Sequence, residues 1–215
     1  RLIQRGEGGA LLSDPAAIGR IVAAVVRAVS IPVTLKIRTG PDESHETSVE
    51  VARAAEQGGA VAVDLHARSV RQAYVGEADW PAVARLKEAI SIPVLGSGSV
   101  RSPADAVRFL RETGADGVAV GRGCLGYPWI FKQSRELFQT GVASRDPTPT
   151  ERGRALLQLI EGEFRYYGPT VALRRLARTS CYFAKFVPDF DSFKQSIHAI
   201  RDLAAFRRLV ATHFR

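Results

Sequence analysis

Methionine is absent from the 215 residues, and the chain opens on an arginine inside what reads as structured sequence. The expectation is a piece of a longer product. Cysteine occurs only at Cys124 and Cys181, too far apart for a disulfide framework or a metal-ligand spacing. Both read as reduced, small buried side chains, and no metal is expected. No apolar run approaches the ~18 residues a membrane helix needs, and Arg1-Leu-Ile-Gln-Arg-Gly lacks a signal-peptide core, so the expected location is the cytoplasm with no membrane contact. Acidic side chains are missing from Phe164 to Pro188, where Arg165, Arg174, Arg175, Arg178 and Lys185 are the only charges. Such a face is either a footprint for a phosphate backbone or a solvated helix surface.

What is present suffices for a core. Hydrophobic residues make up 46% of the chain, and the net charge of +8 is uneven, with 18 basic and 16 acidic residues in 1–150 against 12 and 6 in 151–215. Four valine-rich apolar runs, 31–38, 60–68, 92–100 and 116–123, are bounded by glycine or proline as strands buried on both faces are. Helical patterns fill the intervals at 15–29, 47–57, 80–90 and 103–113. Ser13 and Ser102 stand at N-cap positions, Pro103 at a first helical position, and Gly58 and Gly114 at C-terminal ends. The alternation, with a period of about 28 residues, predicts α/β architecture with a parallel sheet, either a β/α barrel or a doubly wound sheet. Polar residues close every strand: Lys36 and Arg38, His66 and Arg68, Ser97-Gly98-Ser99, then Gly121-Arg122-Gly123. Barrel enzymes gather reactive side chains at these strand ends, so four in a row favour a TIM (β/α)8 barrel of which four β/α units are present. The expected division is 1–141 for the barrel part, 142–150 for a linker, and 151–215 for a small helical domain with a hinge at Tyr167-Gly168-Pro169 and a bend near Pro188.

A strand that ends in Gly-Arg-Gly uncovers backbone N–H groups and sets a planar cation beside them, which is phosphate-binding chemistry. The Ser97-Gly98-Ser99 loop on the preceding strand would complete the same site. Lys36 alternates away from Val33, Leu35 and Ile37, toward the barrel interior or mouth, where a buried lysine needs a compensating partner. His66 holds the equivalent place on the next strand. Together they suit a polar ring system such as a flavin.

In order and spacing, "VTLKIRTG", "LHARSVRQAYVGEADW", "IPVLGSGSV" and "VGRGCLGYPWIF" resemble the flavin-dependent tRNA-dihydrouridine synthases over essentially the whole chain. The resemblance implies an FMN-containing barrel followed by a helical tRNA-binding domain, monomeric when complete. It also implies NADPH-driven reduction of particular uridines, with hydride passing to C6 and a cysteine protonating C5. Carried over by position, Lys36 and His66 are flavin-ring contacts, and Ser97, Gly98, Gly121 and Arg122 are phosphate contacts. Arg68 is a substrate or flavin contact, and Arg174 and Arg178 are tRNA contacts.

The sequence also departs from the family. The Asn-x-Gly-Cys-Pro motif of the acid cysteine is not among the 215 residues, and neither Cys124 nor Cys181 matches it. Ser97 and Ser99 replace a common asparagine and aspartate, and Ala177-Arg178-Thr179 replaces a common Arg-Lys-His. With the acid cysteine expected upstream of Arg1, and a half barrel leaving two open sheet edges and an exposed core face, the 215 residues alone are expected to be inactive and poorly soluble. Two rivals stay open: a non-catalytic RNA-binding half barrel, and a dihydroorotate-dehydrogenase-like FMN barrel acting on a free pyrimidine.

Overall fold

A computed structural model describes residues 3–215. The backbone divides into two compact units, Arg1–Gly121 and Arg122–Arg215. In the first, short 3-10 turns lead into α1 (Pro15–Ala28), followed by β1 (Thr34–Arg38), α2 (Ser48–Gln57), β2 (Ala62–His66), α3 (Trp80–Ala89), β3 (Val94–Ser97), α4 (Pro103–Thr113) and β4 (Gly117–Ala119). The strands pair in parallel in the consecutive order β1-β2-β3-β4. Parallel neighbours need a crossover, and each helix supplies one.

The four helices pack neighbour to neighbour along one face of the sheet. Ile37, Val63, Leu65 and Val94 from the strands meet Val22, Val51, Leu86 and Phe109 from the helices in one core. Thr34, Lys36, Arg38, Asp64, His66, Leu95 and Ser97 lie on the other face, as the register requires. A doubly wound sheet reverses its strand order and carries helices on both faces. Consecutive order with helices on one side is the arrangement of a barrel wall.

Helix 103–113 begins and ends where the sequence places it, with Ser102 Oγ accepting from the Asp105 amide at 3.1 Å. The first helix differs. Its N-cap is Asp14, not Ser13, and Asp14 Oδ1 accepts from the Ala17 amide at 2.8 Å. Ser13 is occupied as the last residue of the preceding 3-10 turn, Gly8–Ser13. The strands are also shorter than the apolar runs, and β1 and β3 start only after Pro32 and Pro93, which have no N–H for the ladder.

The second unit contains α5 (Trp129–Thr140), α6 (Pro149–Tyr167), α7 (Pro169–Ala184), α8 (Phe190–Ile197) and α9 (Leu203–His213). Leu156, Ile160, Leu176, Phe183, Phe193, Phe206 and Val210 form its core. A capping box between Thr148 and Glu151 starts α6, and Gly168 separates α6 from α7. The two compact units meet in sequence at Gly121, so α5 groups with the helices that follow it. The reason is long-range: Arg152 of α6 lies over the rings of Tyr127, Trp129 and Phe186 at 4.9, 5.7 and 4.1 Å, which binds the start of the unit to the helices. The segment 142–150 is likewise tied down, with Gln133 Nε2 donating to the Ser144 and Arg145 carbonyls, each at 3.1 Å. Cys124 and Cys181 are half-buried rather than buried and form no disulfide. Among the described residues no helix is long and apolar enough to cross a membrane.

Candidate functional site

The strand register brings the expected ligands of the first unit into two adjacent rows. Lys36 pairs with Asp64, and Arg38, His66 and Ser97 form the next row at the C-terminal ends of three strands. Lys36 is not buried: its side chain is 62% exposed, and its Nζ lies 2.8 Å from Asp64 Oδ2. The alternation directs it away from the core, and among the described residues of the first unit the crossover helices pack on the opposite face.

His66 is half-buried, with Nδ1 3.1 Å from Ser97 Oγ. Its Nε2 is buried and has no hydrogen-bond partner among the described residues. Burial first, then the positive charges of Arg38, Arg68 and Lys36, push its pKa down to about 4, with Asp64 acting in the opposite direction. The imidazole is therefore neutral at physiological pH.

The loop after β2 is braced by side chains from three places. Arg38 Nη1 donates to the Ser69 and Ala73 carbonyls at 2.8 and 2.9 Å, and its guanidinium stacks over Tyr74 at 5.3 Å. Gln72 Nε2 donates to the carbonyls of Val75 and Glu77. Arg68 is only 1% exposed and donates through Nη2 to the Gly76 carbonyl at 2.8 Å and to Ser99 Oγ at 2.9 Å. The expected substrate or flavin contact thus points into the fold. A guanidinium buried this deeply is anchored by the loop carbonyl and hydroxyl it reaches.

Those contacts shape the loop after β3. Ser99 has a left-handed backbone, φ 55°, held by its Oγ, which accepts from both Arg68 and the Ala78 amide. Gly98 has φ +125°, and a Cβ there would come within 2.6 Å of Ala78 Cβ. Only glycine fits that position. The Gly98 carbonyl accepts from Trp80 Nε1 at 2.9 Å, while the Gly98 and Ser99 amides meet no acceptor among the described residues. Gly121 is the last residue of the first unit, and Arg122 opens the second in a 3-10 turn, Arg122–Cys124.

In the second unit Arg174 and Arg178 lie one turn apart on α7, both exposed, and neither meets a carboxylate among the described residues. Arg175 between them pairs with Glu163 at 3.3 Å and stacks over Tyr167 at 4.9 Å. Tyr166 is 82% exposed nearby in sequence, at the end of α6. The stretch is thus a cationic surface with aromatic rings.

Sequence reasoning missed Asp64, Gln72 and the bracing role of Arg38. Asp64 was within reach, since period-two alternation puts it on the same face as His66. Gln72 gave no such sign, because its partners are backbone carbonyls inside one irregular loop.

The sequence model described as dihydrouridine synthase (Dus) matches residues 1–214. The chain is 35% identical over 205 residues to the tRNA-dihydrouridine synthase B of Pseudomonas putida, covering 95% of this chain and 61% of that protein. It is 46% identical over 152 residues to the "Probable tRNA-dihydrouridine synthase" of Mycobacterium tuberculosis, covering 69% of this chain and 39% of that protein. With the tRNA-dihydrouridine synthase B of Xanthomonas axonopodis the identity is 37% over 191 residues, or 89% and 58% of the two chains. The chain spans about three-fifths of the length of the first of these relatives. A match over nearly its full length, together with the strand-end residues just described, makes this chain a member of the dihydrouridine synthase family.

Proposed function

We propose that this chain serves the flavin-dependent reduction of uridines in tRNA to 5,6-dihydrouridine, with FMN on the uncovered face of the sheet and NADPH as electron donor. The observation that carries this reading is the convergence of Lys36, His66 and Ser97 at the C-terminal ends of adjacent parallel strands. In this reading the four strands are half of an eight-stranded barrel, and the second unit is the tRNA-holding domain.

The donor set fits the cofactor. Lys36 offers an exposed ammonium to a ring carbonyl, and neutral His66 offers an Nε2 that lacks a protein partner. The Gly98 amide, next to a position where no side chain fits, suits a phosphate oxygen, as do Gly121 and the Arg122 guanidinium. Arg68 positions the loop that holds Ser99 in place. FMN held there would supply the hydride to C6, and a proton from a general acid would complete saturation of the C5–C6 bond at C5. The uridine must leave its stack to meet the ring, so the RNA has to be gripped elsewhere. Arg174 and Arg178 supply that grip through phosphate contacts.

The test is binding of FMN and of an unmodified tRNA transcript by the purified chain. FMN should bind saturably, and tRNA affinity should fall linearly on a log-log plot against salt. Arg174→Ala combined with Arg178→Ala should lower tRNA affinity about tenfold or more and reduce the salt slope by about 2, with FMN affinity unchanged. Absence of FMN uptake, or tRNA binding indifferent to salt, would sink the reading.

A further inference from the structure

The Lys36–Asp64 pair is unequal. Asp64 is rooted in the sheet with its side chain 27% exposed, and its second oxygen, Oδ1, is buried with no hydrogen-bond partner among the described residues. Lys36 is a flexible arm, 62% exposed, whose ammonium is caught 2.8 Å from Asp64 Oδ2. Exposed ion pairs contribute little to stability, and a half-sunk carboxylate with one unsatisfied oxygen costs some. The pair therefore does little for folding. What it does is confine a mobile charge on the face where His66 and Ser97 converge.

We propose that Asp64 is a positioning residue that tethers the Lys36 ammonium and holds part of its charge back from a bound flavin, keeping that flavin a strong reductant. This rests on the reading of Lys36 as a flavin-ring contact. Taking up two electrons and one proton leaves the ring one negative charge richer than before. A freely approaching ammonium would stabilise that form and weaken the flavin as a hydride donor, whereas a carboxylate at ion-pair distance offsets it. Uracil accepts hydride poorly, so the lower potential is the useful one.

The experiment is the two-electron potential of FMN on the full chain, with Asp64→Asn, Lys36→Met and the double variant. Asp64→Asn should raise the preference for reduced over oxidised FMN about tenfold, equivalent to about 30 mV for a two-electron couple. In the Lys36→Met background the same change should give no more than about threefold, because only the direct charge effect is left. No shift, or equal shifts in both backgrounds, would overturn the tether. A readout independent of flavin comes from NMR relaxation of the ammonium groups, since the chain has only five lysines. The Lys36 ammonium should be more ordered than that of exposed Lys194, and should lose that order in Asp64→Asn. A mobile Lys36 in the wild-type chain overturns the tether with or without flavin. Failure of the wild-type chain to take up FMN instead removes the flavin reading and, with it, the redox claim.

Discussion

Each unit buries an arginine, and the two do so by different physics. Arg68 is held by oxygens: its Nη2 donates to the Gly76 carbonyl and to Ser99 Oγ, bracing two loops that flank the sheet's polar face. Arg152, 6% exposed, lies among the rings of Tyr127, Trp129 and Phe186, with Nε donating to the Pro147 carbonyl at 3.3 Å, a side-chain hydrogen bond to Tyr127, and Nη1 without a partner among the described residues. Burial holds its pKa below the usual guanidinium value, and Tyr127 and Asp146 only partly offset that. A buried cation that braces loops draws on directional bonds, whereas one that fills a seam between helices draws chiefly on the faces of aromatic rings.

The harshest way to break the comparison is to remove what holds the aromatic seam in register. Gly126 has φ +73°, and a Cβ there would overlap the Tyr182 carbonyl oxygen on α7. Gly126→Ala should therefore cost about 3 kcal/mol or more, measured by chemical denaturation, and should displace Tyr127 from Arg152. A loss below about 1 kcal/mol would mean that the segment can shift without consequence for the seam.

Methionine substitutions sharpen the contrast directly. Arg68→Met removes the buried donor that Gly76 and Ser99 share and frees Ser99 from one of its two restraints, so about 2 kcal/mol should be lost. Arg152→Met puts a polarizable thioether against the same three rings and relieves the unpartnered Nη1. The change there should stay within about 1 kcal/mol of zero. Equal losses at the two sites would show that the ring cage is as directional as the loop braces.

The smallest expected effect is a pH dependence confined to the first unit. The folded-state pKa of His66 is about 4, below the ordinary value near 6.5. The unfolded chain is therefore protonated first as pH falls. Stability contributed by neutral His66 is full above about pH 6.5 and is lost progressively down to about pH 4. Solvent screening at a half-buried site limits it to about 1 kcal/mol. His66→Gln should flatten that part of the stability profile, and an unchanged profile would place its pKa near the ordinary value.

Legibility in the sequence tracked how local each determinant is. Helix 103–113 was readable to the residue because Ser102-Pro103 and Gly114 mark both ends with short-range chemistry. Ser13 misled because two consecutive residues, Ser13 and Asp14, can both cap, and the preceding 3-10 turn takes the first. The period-two pattern placed Lys36 and His66 on one face of the sheet. It could not tell whether anything covers that face, which is why Lys36 was expected to be buried. The unit boundary at Gly121 was hidden for a similar reason. It depends on Arg152 meeting Tyr127 across an interval with no sequence periodicity of its own.

By itself, then, the sequence determined the α/β alternation, the four strand-end clusters and the helical character of the C-terminal part, because each follows from caps, glycines and the spacing of apolar residues along a few turns. Only the tertiary structure decided that Arg68 turns inward, that Asp64 holds Lys36, and that α5 joins the second unit. Those outcomes depend on which donors find acceptors and which faces find partners among residues distant in sequence, a competition that local patterns do not encode.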